Sequence, residues 1–270
     1  MKILLIGGGR QIGFYLLKNL LKNNNNEIFL FNKGSKNYSN FKISKHFKGD
    51  RNLDFKIIDE LSFDCIIDTC CYSLDYSSDS LKYFSSKTRK YIMISSSYVN
   101  ILKNKEYSFN KSLDKKTKNI IKNYAINKYK CENFIQDLYS NYCIIRSVPL
   151  ISLYDHTKRT LNFIKYIMNN KKYLSISNKN IQVNSANQFS NQIVENINDT
   201  KNSVLEYSGS IVSALKIFDF LNLKNLNYKN MKNDVLIPPF MEFNTFFPGK
   251  KTHEKHILKV FKDVYLENNL

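Results

Sequence analysis

An α/β fold organised around a doubly wound parallel sheet is what this sequence predicts, and three observations predict it. The chain opens with a short apolar run, Met1 to Ile6, that leads at once into Gly7-Gly8-Gly9-Arg10-Gln11-Ile12-Gly13. Phe14 to Lys22 then carries apolar residues at helical spacing. As far as residue 150, compact apolar runs of strand length alternate with amphipathic stretches, the pattern of parallel strands joined by helices.

The first of these observations also carries chemistry. A buried strand, a glycine-rich turn and a helix in that order make the opening of a dinucleotide-binding βαβ unit. Glycines let the backbone turn sharply and approach a pyrophosphate with no Cβ in the way, and N–H groups at the helix N-terminus meet the phosphate charge. Gly7, Gly9, Arg10, Gln11, Ile12 and Gly13 are therefore candidate cofactor residues.

After the first helix, four asparagines (Asn23 to Asn26) make a turn and Glu27 to Phe31 reads as the second strand. A third short strand is expected within Phe41 to Phe47, followed by Gly49-Asp50-Arg51, and a short helix over Asp54 to Leu61. Asp64 to Asp68 is a compact buried strand, Ser78 to Phe84 belongs to a helix, and Lys90 to Ser95 is another strand with Ser96-Ser97 at its carboxyl end. Lys115 to Tyr139 has a long amphipathic period, and Tyr142 to Arg146 is the strand after it. This sets a Rossmann-type dinucleotide-binding domain over residues 1–150. Residues 151–270 form mainly a smaller substrate-binding lobe, with some elements returning to the core. There, helices are expected over Thr157 to Asn169, Ala186 to Asn196, Ser210 to Leu221 and Thr252 to Leu266, with a strand over Val204 to Tyr207. Pro238, Pro239 and Pro248 lie in an aromatic segment of little periodicity.

Bulk composition narrows the class. The 270 residues are 43% hydrophobic, enough for a packed interior, and no apolar stretch nears the roughly 20 residues of a membrane span. The first strand begins at the N-terminus, so no signal peptide is expected, and five cysteines without metal-ligand spacing fit a reducing cytoplasm. The net charge of +18 raises nucleic-acid binding. Its source is lysine spread through the whole chain, with arginine, the better reader of phosphate and base, scarce. That reads as a composition rather than a patch, and it also suits an anionic small substrate.

The strongest constellation is Ser96, Tyr124 and Lys128. Tyrosine and lysine four apart on one helix share a face. A free phenol has a pKa of about 10, too high for proton exchange near neutrality, and a neighbouring ammonium favours the phenolate. A serine at the end of the adjacent strand can hydrogen-bond the substrate oxygen. His46, His156, His253 and His256 are scattered and read as surface or loop residues. His156 and Arg159 stand apart because they follow the sixth strand, where Arg159 suits a pyrophosphate.

On Ile6 to Gly13, Phe31-Asn32-Lys33-Gly34, Gly49-Asp50-Arg51, Ile67-Asp68-Thr69-Cys70, Ile94 to Ser97 and Tyr124-Ala125-Ile126-Asn127-Lys128, the chain resembles the short-chain dehydrogenase/reductase superfamily. The resemblance is to the extended branch that includes nucleotide-sugar epimerases and reductases, above all to atypical NAD-dependent epimerase/dehydratase family proteins, and it runs from Met1 to about Val194. It implies Tyr124 as catalytic acid/base, Lys128 as its ribose-binding partner and Ser96, by its offset from Val99, as the catalytic hydroxyl. It also implies Cys70 on the cofactor side, and Ser97, His156 and Arg159 on the side of a nucleotide-sugar substrate. A homodimer stays open.

Departures from the pattern bear on the reaction. Arg10 replaces the middle glycine, Asn100 stands where many members have tyrosine, and Asn184-Ser185-Ala186-Asn187 replaces an acid-rich segment. The acidic residue that normally ends the second strand is Asn32, with Lys33, Lys36 and Arg10 nearby, which welcomes a 2′-phosphate and so favours NADP(H), with NAD(H) the alternative. Asp50 is placed to contact the adenine amino group or to be solvated. Ser97-Tyr98 after Ser96 lacks the acidic pair of the 4,6-dehydratases and the cysteine of the double epimerase/reductases. What remains is hydride transfer at one carbon: an NADP(H)-dependent reductase of a nucleotide-linked 4-keto-6-deoxy sugar, or an NAD-dependent epimerase. The alternative from another class is a cofactor-sensing or RNA-binding protein on the same fold.

Overall fold

The strands of the predicted βαβ units assemble into one twisted sheet in the computed structural model, which describes residues 1–36, 38–169, 180–221 and 246–268. Through residue 147 the elements are β1 (Lys2–Ile6), α1 (Gln11–Leu20), β2 (Glu27–Asn32), β3 (Lys45–Lys48), β4 (Phe63–Asp68), α2 (Leu74–Ser85), β5 (Thr88–Ser96), α3 (Lys115–Leu138) and β6 (Tyr142–Ser147). They are followed by β7 (Leu150–Ile151), α4 (Arg159–Asn169), β8 (Asn180–Ser185), α5 (Ala186–Glu195), β9 (Ser203–Ser213), α6 (Ala214–Phe220), β10 (Lys250–Lys251) and α7 (Glu254–Glu267).

The strand order is β3-β2-β1-β4-β5-β6-β9-β8-β7, with β10 beside β9. Strands β1 to β6 pair in parallel, and β9 adds parallel to β6, with Cys143 opposite Ser203. The chain leaves β1 toward β2 on one side and returns to β4 on the other. That reversal opens a crevice at the carboxyl ends of β1 and β4, the place where such sheets bind ligands.

The strands are apolar on both sides because helices cover both faces. Leu4, Ile66 and Met93 pack with Leu81 of α2 and Ile135 of α3, while Ile3, Leu5 and Ile67 pack with Leu16 of α1 and Phe189 of α5. Full burial of each such side chain stabilises by about 1.5–3 kcal/mol. A second core gathers Ile151, Phe163, Ile181, Val212, Phe218 and Phe261 from the elements after residue 150. From that same region α5 packs on α1, and β9 joins the main sheet.

Several expected elements change. The third strand is Lys45–Lys48 rather than Phe41 to Phe47, and the helix expected over Asp54 to Leu61 is one 3₁₀ turn, Phe55–Ile58. Asp54 does not cap it; its carboxylate instead accepts the Asp50 N–H at 2.7 Å. The helix expected from Ser210 begins at Ala214, because β9 runs on to Ser213 with Val212 buried and Ile211 exposed. Ser213 then caps α6 by accepting the Lys216 N–H at 3.1 Å. Strand β8 escaped the sequence reading because it is polar: Gln182 exchanges two 2.7 Å hydrogen bonds with the Phe247 backbone, and Asn184 accepts the Thr252 hydroxyl at 2.7 Å. It pairs antiparallel with β9, so the sheet is mixed at this edge. Pro238 and Pro239 lie outside the described residues. Among the described residues no helix is long and apolar enough to cross a membrane.

Candidate active site

The glycine turn has the close contacts its sequence predicts. Gly7 has φ +107°, and a Cβ there would sit 2.0 Å from the Thr69 hydroxyl; one on Gly13 would sit 2.5 Å from the Gly8 nitrogen. Gly13 thus lets the first turn of α1 lie directly on the loop. Gly13→Ala is expected to destabilise the protein by about 1–3 kcal/mol through overpacking against backbone, read as a lower denaturant midpoint. Gln11 has φ +40°, uncommon for a side-chain-bearing residue. Two contacts hold it: its N–H donates to the Tyr154 carbonyl at 3.3 Å and its amide to the Leu150 carbonyl at 3.1 Å.

A cavity of about 480 Å³ lies over this turn, within the roughly 300–1,000 Å³ typical of cofactor and ligand sites. Its lining brings together Gly7 to Ile12 with Asn32, Lys33, Asp50, Cys70 and His156, so nearly all the expected cofactor residues share one space. His156, expected on the substrate side, is exposed in this same lining. Arg159 is half-buried at the start of α4 and is not part of the lining.

Two of the cations around the cavity are paired with carboxylates. Asn32 donates to the Gly7 carbonyl at 2.6 Å and the Tyr38 hydroxyl at 3.2 Å, and its oxygen receives the Gly34 N–H at 2.8 Å with His46 Nε2 at 3.0 Å. Its amide therefore locks the turn to the end of β2. The Lys33 ammonium lies 2.7 Å from the Asp50 carboxylate and holds it below the usual carboxylate range. Beneath the floor, the Arg51 guanidinium and the Tyr91 hydroxyl both meet Asp68 Oδ2, at 2.5 and 2.6 Å, while Asp68 Oδ1 accepts the Cys70 N–H at 2.7 Å. Burial opposes the Arg51 charge, and the Asp68 carboxylate more than reverses it. Burial pushes the Tyr91 phenol well up. This buried cluster fixes the corner that presents Cys70.

The second group of residues comes from α3 and the end of β5. Asp114 starts α3 by accepting the Thr117 N–H at 2.9 Å and its hydroxyl at 2.6 Å. Tyr124 and Lys128 follow one turn apart. The Lys128 side chain is 1% exposed, and its ammonium donates to the carbonyls of Cys71 and Ile94 at 2.8 Å each. That ammonium lies 4.9 Å from the centre of the Tyr72 ring and 5.9 Å from that of Tyr124.

The three serines are sorted by their partners. Ser95 donates to Glu132 at 2.5 Å, and Ser97 is fully buried and donates to Glu206 at 3.4 Å. The Ser97 hydroxyl is thus buried and held by a carboxylate. Ser96 instead accepts the Tyr98 N–H at 3.3 Å as cap of the 3₁₀ turn Ser97–Leu102. Arg146 joins the flanking anchors: it meets Glu132 through Nε at 2.9 Å and an NH2 group at 2.5 Å, and Glu206 at 2.8 Å. Asn100 completes the network with bonds to Glu206 at 3.0 Å and Arg146 at 3.2 Å. Sequence reasoning passed over Tyr72 and this network. A signal for the latter existed in Glu132, four residues after Lys128 on the same helix face, and in Arg146 and Glu206 inside apolar strands.

These residues fit a dinucleotide. The turn is a cradle that a Cβ at Gly7 would fill, the cavity has the volume of a ligand site, and Tyr72 connects its lining to Lys128. Among the described residues no three His, Cys, Asp or Glu side chains converge as metal ligands.

No protein-family model matches this sequence, and no curated protein is similar to it at a significant level. Solved structures are. The chain superimposes with TM-score 0.69 on UDP-N-acetylglucosamine 4-epimerase from Methanobrevibacter ruminantium, in complex with UDP-N-acetylmuramic acid, at 13% identity over 100% of this chain and 99% of that one. A thiolation-reductase di-domain from an archaeal non-ribosomal peptide synthetase gives TM-score 0.68 at 16% identity, over 99% and 90% of the two chains. The NAD complex of dTDP-glucose 4,6-dehydratase from Bacillus anthracis gives 0.64 at 12%, over 99% and 97%. At such identities the likeness establishes the architecture, and this chain has the Rossmann-type α/β fold.

Proposed function

We propose that this chain is a nicotinamide-dependent oxidoreductase of the extended short-chain dehydrogenase/reductase family that acts on a nucleotide-linked sugar. The observation that carries the reading is the buried Lys128 ammonium. It is anchored to the carbonyls of Cys71 and Ile94, with Tyr124 one turn before it and Tyr72 leading to the glycine-turn cavity. The solved structures named above support the same class, since they include an epimerase bound to a UDP-sugar and a dehydratase bound to NAD.

In this reading Gly7, Gly9, Arg10, Ile12 and Gly13 cradle the dinucleotide diphosphate. Lys33, Asp50 and Cys70 line the rest of its site, with Asn32 and Gln11 shaping the wall. When bound there, a reduced nicotinamide would supply hydride chemistry for a ketone. Tyr124 gives its phenolic proton to the ketone oxygen, Ser96 donates a hydrogen bond to that oxygen, and the Lys128 charge offsets the phenolate left behind. The residues after 150 hold the nucleotide, with Arg159 on its pyrophosphate and His156 at the mouth shared with the cofactor. The finer reading is NADP(H)-dependent reduction of a 4-keto-6-deoxy sugar, because Arg10 and Lys33 line the cavity together with Asn32, which stands in place of the usual acidic residue. The second reading is an NAD-dependent epimerase. It is favoured by the Asp50 carboxylate beside Lys33 and by the NAD bound in several similar folds.

A thermal-shift panel tests these readings. NADPH or NADH at a hundredfold excess over its Kd stabilises by about 2.7 kcal/mol, and the preferred one identifies the cofactor. Uridine or thymidine diphosphate should then raise the melting temperature further, and Arg159→Ala should weaken that increment while sparing the cofactor's own. Stabilisation by no nucleotide beyond the cofactor removes the sugar-nucleotide reading. Tight RNA binding at physiological salt, with no NADPH oxidation on any keto-sugar, supports instead a regulator or RNA-binding protein on this fold.

A further inference from the structure

Tyr72 is a large aromatic side chain left 56% exposed in the wall of the cavity. It follows Cys71 in the short link between β4 and α2, so its backbone is fixed on both sides. Cys71 is fully buried, and its carbonyl accepts the Lys128 ammonium at 2.8 Å. The Tyr72 ring lies over that same ammonium at 4.9 Å. Phe31, which also lines the cavity, is wholly buried in the core. Tyr72 therefore offers an exposed phenol ring in this cavity, beside the Lys128 ammonium that also lies near Tyr124.

An exposed ring at such a junction is suited to one kind of ligand. Flat rings gain from offset stacking on an aromatic face, and covering that face removes apolar surface from water. Lys128 has three donors and spends two on the carbonyls of Cys71 and Ile94. A group that reaches the third approaches beside the Tyr72 ring. We infer that Tyr72 is the stacking wall for the nicotinamide end of the dinucleotide, with Lys128 holding the ring in place through its charge. The inference rests on the cofactor reading above and adds to it a contact residue that separates the two halves of the cofactor.

The test compares whole and truncated ligands on the full chain. NADPH and NADH are titrated in parallel with ADP, which shares the adenosine diphosphate half and lacks the nicotinamide. Tyr72→Ala should weaken the preferred dinucleotide about tenfold while ADP affinity stays within twofold, and Tyr72→Phe, which keeps the ring, should restore the dinucleotide. Because the chain has no tryptophan, Tyr72→Trp introduces a single indole. Its emission should be quenched by the dinucleotide and left unchanged by ADP. Equal dinucleotide affinity in Tyr72→Ala, an equal loss for ADP, or an indole blind to the dinucleotide overturns the role of Tyr72 while the cofactor site stands. Failure of the parent chain to bind either dinucleotide or ADP overturns the cofactor reading, and this inference with it.

Discussion

Arg146→Leu is expected to lower the unfolding free energy by roughly 3–5 kcal/mol, because it strands the buried Glu132 carboxylate, and the half-buried one of Glu206, without their cation. Arg146 is 5% exposed and holds Glu132, which is fully buried, together with Glu206. Glu132 keeps only the Ser95 hydroxyl and Glu206 keeps Asn100 and Ser97 when the guanidinium is gone. Denaturant unfolding at neutral pH measures the loss. The double variant Arg146→Leu with Glu132→Leu should recover part of it, since it removes the more deeply buried of the two unpaired charges. A full loss in the double variant would mean that packing rather than charge dominates. The network also grips Ser95 and Ser97 on either side of Ser96, so the loop beyond β5 should loosen, with faster hydrogen exchange over residues 97–102.

Tyr124→Phe carries the largest expected effect on chemistry. In the proposed reaction the phenol is the proton donor, and removing one positioned acid lowers turnover by about 10²–10⁴-fold. The ring remains, so its edge contact with Tyr98, at 6.4 Å between centres, and its place beside Lys128 are retained. Cofactor affinity should stay within a few-fold of the parent chain, measured by NADPH fluorescence. Turnover is followed by NADPH oxidation with a panel of nucleotide-linked keto-sugars. Undiminished turnover in this variant rules out the Tyr124 mechanism. Lys128→Met should differ in kind, because it also releases the carbonyls of Cys71 and Ile94 from their shared donor. Both its cofactor affinity and its turnover should fall.

The sequence by itself determined the parts of this protein that depend on local chemistry. Met1 to Gly13 specify a strand, a turn and a helix because the apolar run, the glycines and the helical period are neighbours along the chain. The tyrosine–lysine spacing needs only one helix, which the amphipathic period from Lys115 to Tyr139 marks out. Reading fell short where a residue's role is set by partners far away. Asn32 and Lys33 line the cavity, but the sequence does not announce that Gly7, Gly34, Tyr38 and His46 use the Asn32 amide or that Asp50 pairs with Lys33. Strand β8 looked too polar to be buried until Phe247 and Thr252, more than 60 residues later, satisfied Gln182 and Asn184.

The resemblance singled out Ser96 by its offset from Val99, but only the tertiary structure showed what holds its neighbours. Ser95, Ser96 and Ser97 have the same chemistry, and Glu132 and Glu206 claim the two outer hydroxyls from a helix and a strand that meet β5 only in the fold. It likewise put His156 in the cavity of the glycine turn and made Tyr72 the neighbour of Lys128. Periodicity and turn chemistry act over a few residues, so they are written in the sequence. Which polar group is satisfied, and by whom, is decided when distant segments close on one another, because a buried donor or acceptor left unpaired costs more than the contact itself contributes.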